Sequence, residues 1–200
     1  MSEIKVLRAA DYPRMPWKNG GGSTQEIVKD ASEGLDGFGW RLSIADIAES
    51  GGFSEFNGYQ RLITVLEGAG MQLEVDGVIS RPLLSSDAFA FSGGSRVDCR
   101  LLDGAIRDFN LIYAPDRYAA RLQWLALDTP THFYSSAALV LLFSTAGSLR
   151  VSLEGEACPV LGQYDCLVLD AEADLREWRL DASVGGRCCV IELHRLTPSA

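Results

Sequence analysis

Short apolar runs that alternate with polar residues, each closed by glycine, aspartate, asparagine or proline, recur along the whole chain. GWRLSIADI, RLITVLEG, MQLEVDG, AFAFSG, FNLIYAP, LVLLFS, LRVSLEG and CVIELHR are of this kind. Apolar runs of that length between turn residues predict the strands of a β-sandwich or barrel. Helical spacing is scarce. DRYAARLQWLALD is the one stretch with a fair helical period, and SEGLDGFG is broken by glycine. Ser23 and Glu26 have the spacing of a helix capping box, but the run behind them soon ends in a glycine-rich turn, so TQEIVKD is read as a strand. The expected fold class is all-β.

The pattern also repeats. RLITVLEGAGMQLEVDGVISRPLLSSDAFAFS lines up with LVLLFSTAGSLRVSLEGEACPVLGQYDCLVLD. Each copy has an apolar strand, a glycine turn, and an alternating strand that ends in acid-glycine. A short crossing with proline follows, and then an aspartate (Asp87, Asp165) leading a second apolar strand. FNLIYAP and CVIELHR close the two copies, and LDTPTHFYSS is expected to connect them.

Composition narrows the function. The chain has 200 residues, 47% hydrophobic and 22% charged, enough to bury a full core. A net charge of -9, with no run of lysine or arginine, argues against a nucleic-acid partner. No stretch has the length of a membrane span, and MSEIKVLRAADY lacks the layout of a signal peptide. A cytoplasmic setting is therefore expected, with the five cysteines reduced. No C-x-x-C pair is present, and Cys188 and Cys189 should point to opposite faces of one strand.

One segment departs from the strand pattern. MPWKNGGGSTQEI carries three successive glycines behind Trp17, Lys18 and Asn19. Asparagine followed by glycine suits a tight turn. Successive glycine N–H groups beside Lys18 would equally suit an anion-binding concavity.

VLEGAGMQLEVDG followed by the aspartate-led strand resembles a cupin barrel. MPWKNGGGSTQEI, GWRLSIADI, GGFSEFNGYQRLITVLEG and RDFNLIYAP resemble the HutD/Ves family of bicupin proteins. The resemblance implies a bicupin, two cupin-like β-barrels of jelly-roll type packed into one body, with residues 1–126 and 127–200 as the expected division. It also implies an association with histidine-utilisation genes, restraining or tuning that pathway rather than catalysing a step.

Metal-binding cupins use an HxH pair, a following glutamate and a later histidine. With VLEG as anchor, the glutamate position holds Arg61, Glu55 and Asn57 fall near the HxH pair, and Arg96 falls near the last histidine. The only histidines are His132, in the expected connection, and His194, at the end of the last strand. No metal or other cofactor is expected. A site built for a cation presents a guanidinium instead, which favours an anion.

Strand parity supports that reversal. Arg41, Ser43 and Ala45 share one face of GWRLSIADI, Arg61 alternates with Tyr59, Ile63 and Val65, and Asn110 shares a face with Ile112. The plainer alternative for Arg61 is a buried bridge to Glu67 or another carboxylate. The candidate ligand-binding residues are Trp17, Lys18, Asn19, Arg41, Ser43, Arg61 and Asn110.

The expected partner is a small anionic metabolite, with a homodimer as an open alternative; neither nucleic acid nor membrane is expected. Urocanate is the preferred ligand. A ligand of three heavy atoms such as formate is limited to about 4.5 kcal/mol, near millimolar, whereas a flat carboxylate of about ten heavy atoms reaches micromolar. An enzyme on the same scaffold would need a general base, for which Glu26, Glu67 and Asp46 are candidates. A third reading is a structural or protein-binding role with the pockets closed. From the residues at the cupin metal positions, elemental analysis of the purified protein should find transition metal well below stoichiometry; one bound metal per chain in the first barrel would overturn the anion reading.

Overall fold

The structure, a computed structural model, describes residues 3–30, 37–182 and 186–196. The stretch SEGLDGFG falls largely outside them. Among the described residues the fold is all-β, with a single 3-10 turn at Ala9–Asp11 as its only helix, and no helix is long and apolar enough to cross a membrane.

The chain divides into two compact units, Pro13–Asp116 and Met1–Tyr12 with Arg117–Ala200. Pro13–Asp116 has a six-stranded antiparallel sheet in the order Arg14–Pro16, Gly22–Lys29, Trp40–Ile47, Ile106–Tyr113, Gln60–Glu67, Ala88–Ser92. Its second sheet runs Gly51–Gly52, Val97–Leu101, Met71–Val75, Val78–Ile79. Ala45, Ile63, Val65 and Phe91 from the first sheet pack with Met71, Leu73, Val97 and Cys99 from the second. The other unit repeats this plan. Its five strands are ordered Glu3–Leu7, Cys166–Asp170, Leu139–Ser144, Arg187–Arg195, Tyr118–Ala126, and its four Thr131–Ser135, Arg176–Ala182, Leu149–Leu153, Glu156–Ala157. The sheets are open as hydrogen-bonded, rather than closed into barrels.

Three expectations change. DRYAARLQWLALD holds a strand, Tyr118–Ala126, paired along its whole length with Arg187–Arg195. A nine-residue ladder with that partner outweighs a moderate helical period. LDTPTHFYSS is no plain connection, because Thr131–Ser135 pairs with Arg176–Ala182. The division also falls elsewhere than 126/127: Glu3–Leu7 and Tyr118–Ala126 form the two edges of the five-stranded sheet, so both belong to the later unit.

The repeat is legible at atomic detail. Asp76–Gly77 and Glu154–Gly155 both take positive φ (50° and 83°, 52° and 85°), as a two-residue hairpin turn of the I′ kind requires. Met71 bridges Leu83 and Leu149 bridges Leu161. Ser86 and Tyr164 both have positive φ, immediately before Asp87 and Asp165. Each aspartate accepts the N–H three residues back, Leu84 to Asp87 at 3.1 Å and Gly162 to Asp165 at 2.9 Å, and each pairs with an arginine at 2.6 Å.

The two carboxylates differ in burial. Asp165 has a side chain only 10% exposed and also accepts the Ala9 N–H at 2.9 Å, whereas Asp87 is 34% exposed. Burial alone would raise the Asp165 carboxyl, but hydrogen bonds from Ala9, Gly162 and Arg8 hold it below the ordinary carboxylate value. It therefore stabilises the fold above its unfolded-state value, and this contribution is lost as pH falls through the folded one. Asp165→Ala should cost about 2 kcal/mol in urea unfolding near neutral pH, and clearly more than Asp87→Ala; equal losses would show that the extra bonds of Asp165 add nothing.

Candidate functional site

Pairing register assembles the site. Across three neighbouring strands of the six-stranded sheet, Arg41, Ile112 and Arg61 stand opposite one another; so do Ser43, Asn110 and Ile63, and then Ala45, Asp108 and Val65. Directly paired residues share a face, so these rows form one surface inside the unit. The register is unbroken across the three rows and shifts only beyond the last, between Asp108 and Arg107. The polar part of this surface lines a cavity of about 590 Å³, within the range of small-molecule sites. Trp17, Lys18, Asn19, Arg41, Ser43, Arg61 and Asn110 all line it.

Segment WKNGGG is a turn that delivers a lip. It closes the hairpin between Arg14–Pro16 and Gly22–Lys29, with Trp17 N–H donating to Gly22 O at 2.9 Å. Gly20 N–H donates to Trp17 O, and Gly21 N–H to Asn19 Oδ1, both at 3.1 Å. Those two N–H groups are used inside the turn, so of the two readings of these glycines the tight turn holds, and neither N–H is left for an anion concavity. Gly22 is required for a different reason. A Cβ there would lie 2.4 Å from Asp46 O and 3.0 Å from the Trp17 ring. The indole fills that space, and its Nε1 donates to Thr24 Oγ1 at 2.8 Å.

Arg61 is the centre of the site. Only 7% exposed, it donates from Nη2 to Asn110 Oδ1 at 2.9 Å and from Nη1 to Ser54 O at 3.2 Å, while its buried Nε has no hydrogen-bond partner. The guanidinium lies over Phe91, Phe53 and Phe56 at 5.0, 5.4 and 5.5 Å, distances that suit cation–π attraction. Burial lowers its pKa to about 10, with Asp108 opposing the shift and Arg41 adding to it, so the group remains a cation at neutral pH. Among the described residues no carboxylate touches it directly, and Glu67 pairs with Arg107 at 3.4 Å. The bridge to a carboxylate runs instead through Asn110, whose Nδ2 donates to Asp108 Oδ1 at 2.7 Å. Arg41 stands over Phe38 and Phe56 at 5.6 and 5.7 Å.

Asp108 is the member that the sequence reading missed. It is 1% exposed, lines the cavity and has its pKa raised to about 7. Burial is the main cause; Arg61, the Ala45 N–H and Asn110 oppose it, and Asp46 adds to it. The same parity that selects Asn110 and Ile112 selects Asp108, so the signal was present in RDFNLIY. Phe53, Phe56 and Thr24 were missed as well, and no periodic pattern marks the loop that carries the two phenylalanines.

Several other candidates lie elsewhere. Glu26 pairs with Lys29 at 3.4 Å, and Asp46 is held between Arg14 and Arg107 at 2.6 and 2.7 Å. Neither these nor Glu67 line the cavity. The cupin-motif placement is also displaced: Arg96 is 84% exposed beside Asp98, and Glu55 and Asn57 are exposed, whereas Ser54 and Phe56 reach the lining. His132 contacts Glu177 on the strand Thr131–Ser135, and His194 pairs with Ala119. Among the described residues no group of three or more His, Cys, Asp or Glu is arranged to hold a metal ion.

The repeat supplies an internal control. Ser86 N–H donates to Val65 O, and its counterpart Tyr164 N–H donates to Ser144 O, so Val65 corresponds to Ser144 and Arg61 to Val140. Through the cross-strand pairs, Asn110 then corresponds to Val190 and Asp108 to Cys188. All three counterparts belong to a buried apolar core with Trp178 and Leu180. Ile112 corresponds to Glu192, which pairs with Arg121 at 3.3 Å. The guanidinium–amide–carboxylate chain is thus particular to Pro13–Asp116.

The model of the HutD family matches residues 9–190. The chain belongs to the HutD family. Within reach of this HutD chain is an uncharacterized 21.2 kDa protein in the hutC 3′ region of Pseudomonas putida, 63% identical over 96% of this chain and 98% of that protein. Protein Ves of Citrobacter koseri is 35% identical over 82% of this chain and 89% of its own. The structure of HutD from Pseudomonas fluorescens SBW25, in a formate condition, superposes with a TM-score of 0.85 at 57% identity, covering 98% of this chain and all of that one. Bacterial pirin YhhW from Escherichia coli, in complex with nickel(II), has a TM-score of 0.69 at 13% identity over 98% of this chain and 100% of its own, a likeness of fold alone. The P. putida relative ties the family to a histidine-utilisation locus.

Because Asn110 satisfies a buried cation on one side and a buried carboxyl on the other, its removal leaves both without that partner. Asn110→Ala should destabilise the protein by about 2–4 kcal/mol in urea unfolding. A loss below about 0.5 kcal/mol, the range of surface substitutions, would show that the bridge is not formed in solution.

Proposed function

We propose that the chain is a metabolite-binding regulatory protein of histidine utilisation that holds a small carboxylate, such as urocanate or formate, in a metal-free pocket of Pro13–Asp116. In the same reading its two units are cupin-like barrels of jelly-roll type. The observation that carries the proposal is the guanidinium of Arg61, a cation only 7% exposed that lines the cavity and, among the described residues, touches no carboxylate directly. Its Nε also lacks a hydrogen-bond partner, so the buried charge is under-compensated, and a ligand carboxylate on the cavity side would supply negative charge to it. A planar guanidinium also offers two parallel hydrogen bonds to such a group. Arg41 supplies a second positive charge, and Trp17, Phe53 and Phe56 supply flat apolar walls for an unsaturated or aromatic ligand body. The formate condition of the P. fluorescens HutD structure and the hutC neighbourhood of the P. putida relative accord with this reading.

One observation favours a second reading, an enzyme acting on a small carboxylate of histidine catabolism. Asp108, its pKa raised to about 7 inside the cavity, has the proton affinity of a general base at neutral pH. Turnover of a histidine-pathway carboxylate by the wild type, lost in Asp108→Asn while binding remains, would favour the enzyme; binding without turnover favours the regulator.

Arg61 and Lys18 should contribute unequally. Arg61 is buried on a strand, whereas Lys18 is exposed on the turn and screened by solvent and salt. In calorimetric titrations with urocanate, Arg61→Ala should weaken binding by one to two powers of ten, for a charge-assisted bond of about 1.5–3 kcal/mol. Arg61→Lys should recover little of this, because an ammonium lacks the planar fork. Lys18→Met should cost less, and its effect should shrink as salt is raised. Equal losses at both positions, or normal binding by Arg61→Lys, would reduce the pocket to a diffuse positive field.

A further inference from the structure

We infer that the cavity takes up a proton together with its carboxylate ligand, and that Asp108 is the group that receives it. The inference rests on the anion-pocket reading and adds the ionic form in which the ligand is held.

The hydrogen-bond chain fixes the direction of each partner. A guanidinium only donates, so Asn110 must turn its Oδ1 to Arg61 Nη2, at 2.9 Å. The amide then presents Nδ2 to Asp108, whose Oδ1 accepts at 2.7 Å. Asp108 accepts from Asn110 at Oδ1 and also from the Ala45 N–H; a protonated carboxyl keeps acceptor capacity beside its O–H, so a proton is compatible with the chain. Charged and titratable groups bear on it from each neighbouring strand. Arg61 faces it from Gln60–Glu67 and favours the anion. Trp40–Ile47 contributes Asp46, which disfavours the anion, and Arg41, which acts on Arg61. From the facing sheet comes Cys99, whose thiol is pushed up to about 12 by burial and by Asp108 itself. Thr24, from Gly22–Lys29, is neutral, and Lys18 stands at the rim.

Without a bound carboxylate, the positive charge of Arg61 partly offsets the burial that raises Asp108 to about 7. A carboxylate held by Arg61 neutralises that cation and places a second negative charge beside Asp108. Two carboxylates in one site do not both stay ionised, and the buried one takes a proton. The sign follows from linkage. The liganded protein binds more protons than the free one, so affinity is greatest below the free value near 7. It falls as pH rises through that value, by up to tenfold per pH unit, until the liganded value is reached.

Formate is the probe, because it is ionised throughout the range and carries no other titrating group. Calorimetric titration between about pH 6 and about pH 9, in buffers of different ionisation enthalpy, reads both affinity and proton uptake. For a rise of about two pH units on binding, uptake should reach roughly 0.8 proton per formate near pH 8, with affinity weakening about tenfold between pH 7 and pH 8.5. Asp108→Asn and Asp108→Ser should each abolish the uptake and flatten the profile, whatever their absolute affinity. A wild type whose affinity is constant with no proton uptake overturns this inference and leaves the anion pocket standing. So does undiminished uptake in either variant. A wild type that binds neither formate nor urocanate at any pH overturns the pocket reading, and this inference with it.

Discussion

The hydrogen bond from Arg61 Nη2 to Asn110 Oδ1, 2.9 Å long and shielded from water, constrains the chemistry of everything around it. A guanidinium in an apolar interior is costly unless hydrogen bonds and opposite charge compensate for lost hydration. Here the compensation is distributed. Ser54 O and Asn110 Oδ1 accept from the two terminal nitrogens, three phenylalanine faces surround the cation, and Asp108 supplies negative charge at one remove. Because Asn110 stands between the two charges, neither is neutralised by direct contact. That leaves a cation able to take another acceptor and a carboxyl poised near neutrality.

Duplication shows how little is needed to make such a site. Both units share the hairpin turns, the Leu83 and Leu161 bridges and the aspartates that anchor the following strand. In one, the positions corresponding to Arg61, Asn110 and Asp108 carry Val140, Val190 and Cys188 and close into a continuous core. In the other, a polar chain replaces them, and a cavity of about 590 Å³ remains beside it. Four strands follow the same order in both sheets, Trp40–Ile47, Ile106–Tyr113, Gln60–Glu67, Ala88–Ser92 in one and Tyr118–Ala126, Arg187–Arg195, Leu139–Ser144, Cys166–Asp170 in the other. The difference lies in side chains on one face of two adjacent strands.

That division explains which features were legible in the sequence. Alternation of period two is a local property, and it correctly placed Arg41 with Ser43, and Arg61 with Ile63 and Val65, on shared faces. Asp108 obeys the same parity, but an aspartate beside Arg107 reads locally as half of a surface charge pair, and the cross-strand partners Ala45 and Val65 place it inside. Tyr118–Ala126 was obscure for the opposite reason: its local spacing suits a helix, and only the distant partner Arg187–Arg195 decides otherwise. The glycines of WKNGGG were correctly seen as unusual. Their use could not be read locally, because the atoms that demand Gly22, Asp46 O and the Trp17 ring, approach from another strand and from the far side of the turn.

Burial of the cation also sets the size of what can be recognised. With a net charge of -9, the molecule as a whole repels anions, and at physiological salt fields from exposed charges fade within about 8 Å. An extended polyanion would meet mainly that acidic exterior, since Arg61 is 7% exposed and stands inside the sheet layer. A ligand small enough to enter the cavity leaves that environment and meets two guanidiniums, an amide and aromatic walls in a region where charges are weakly screened. Selection therefore operates by contact rather than by long-range attraction. The surface discourages large anions, and the interior rewards one small enough to reach the Arg61 guanidinium.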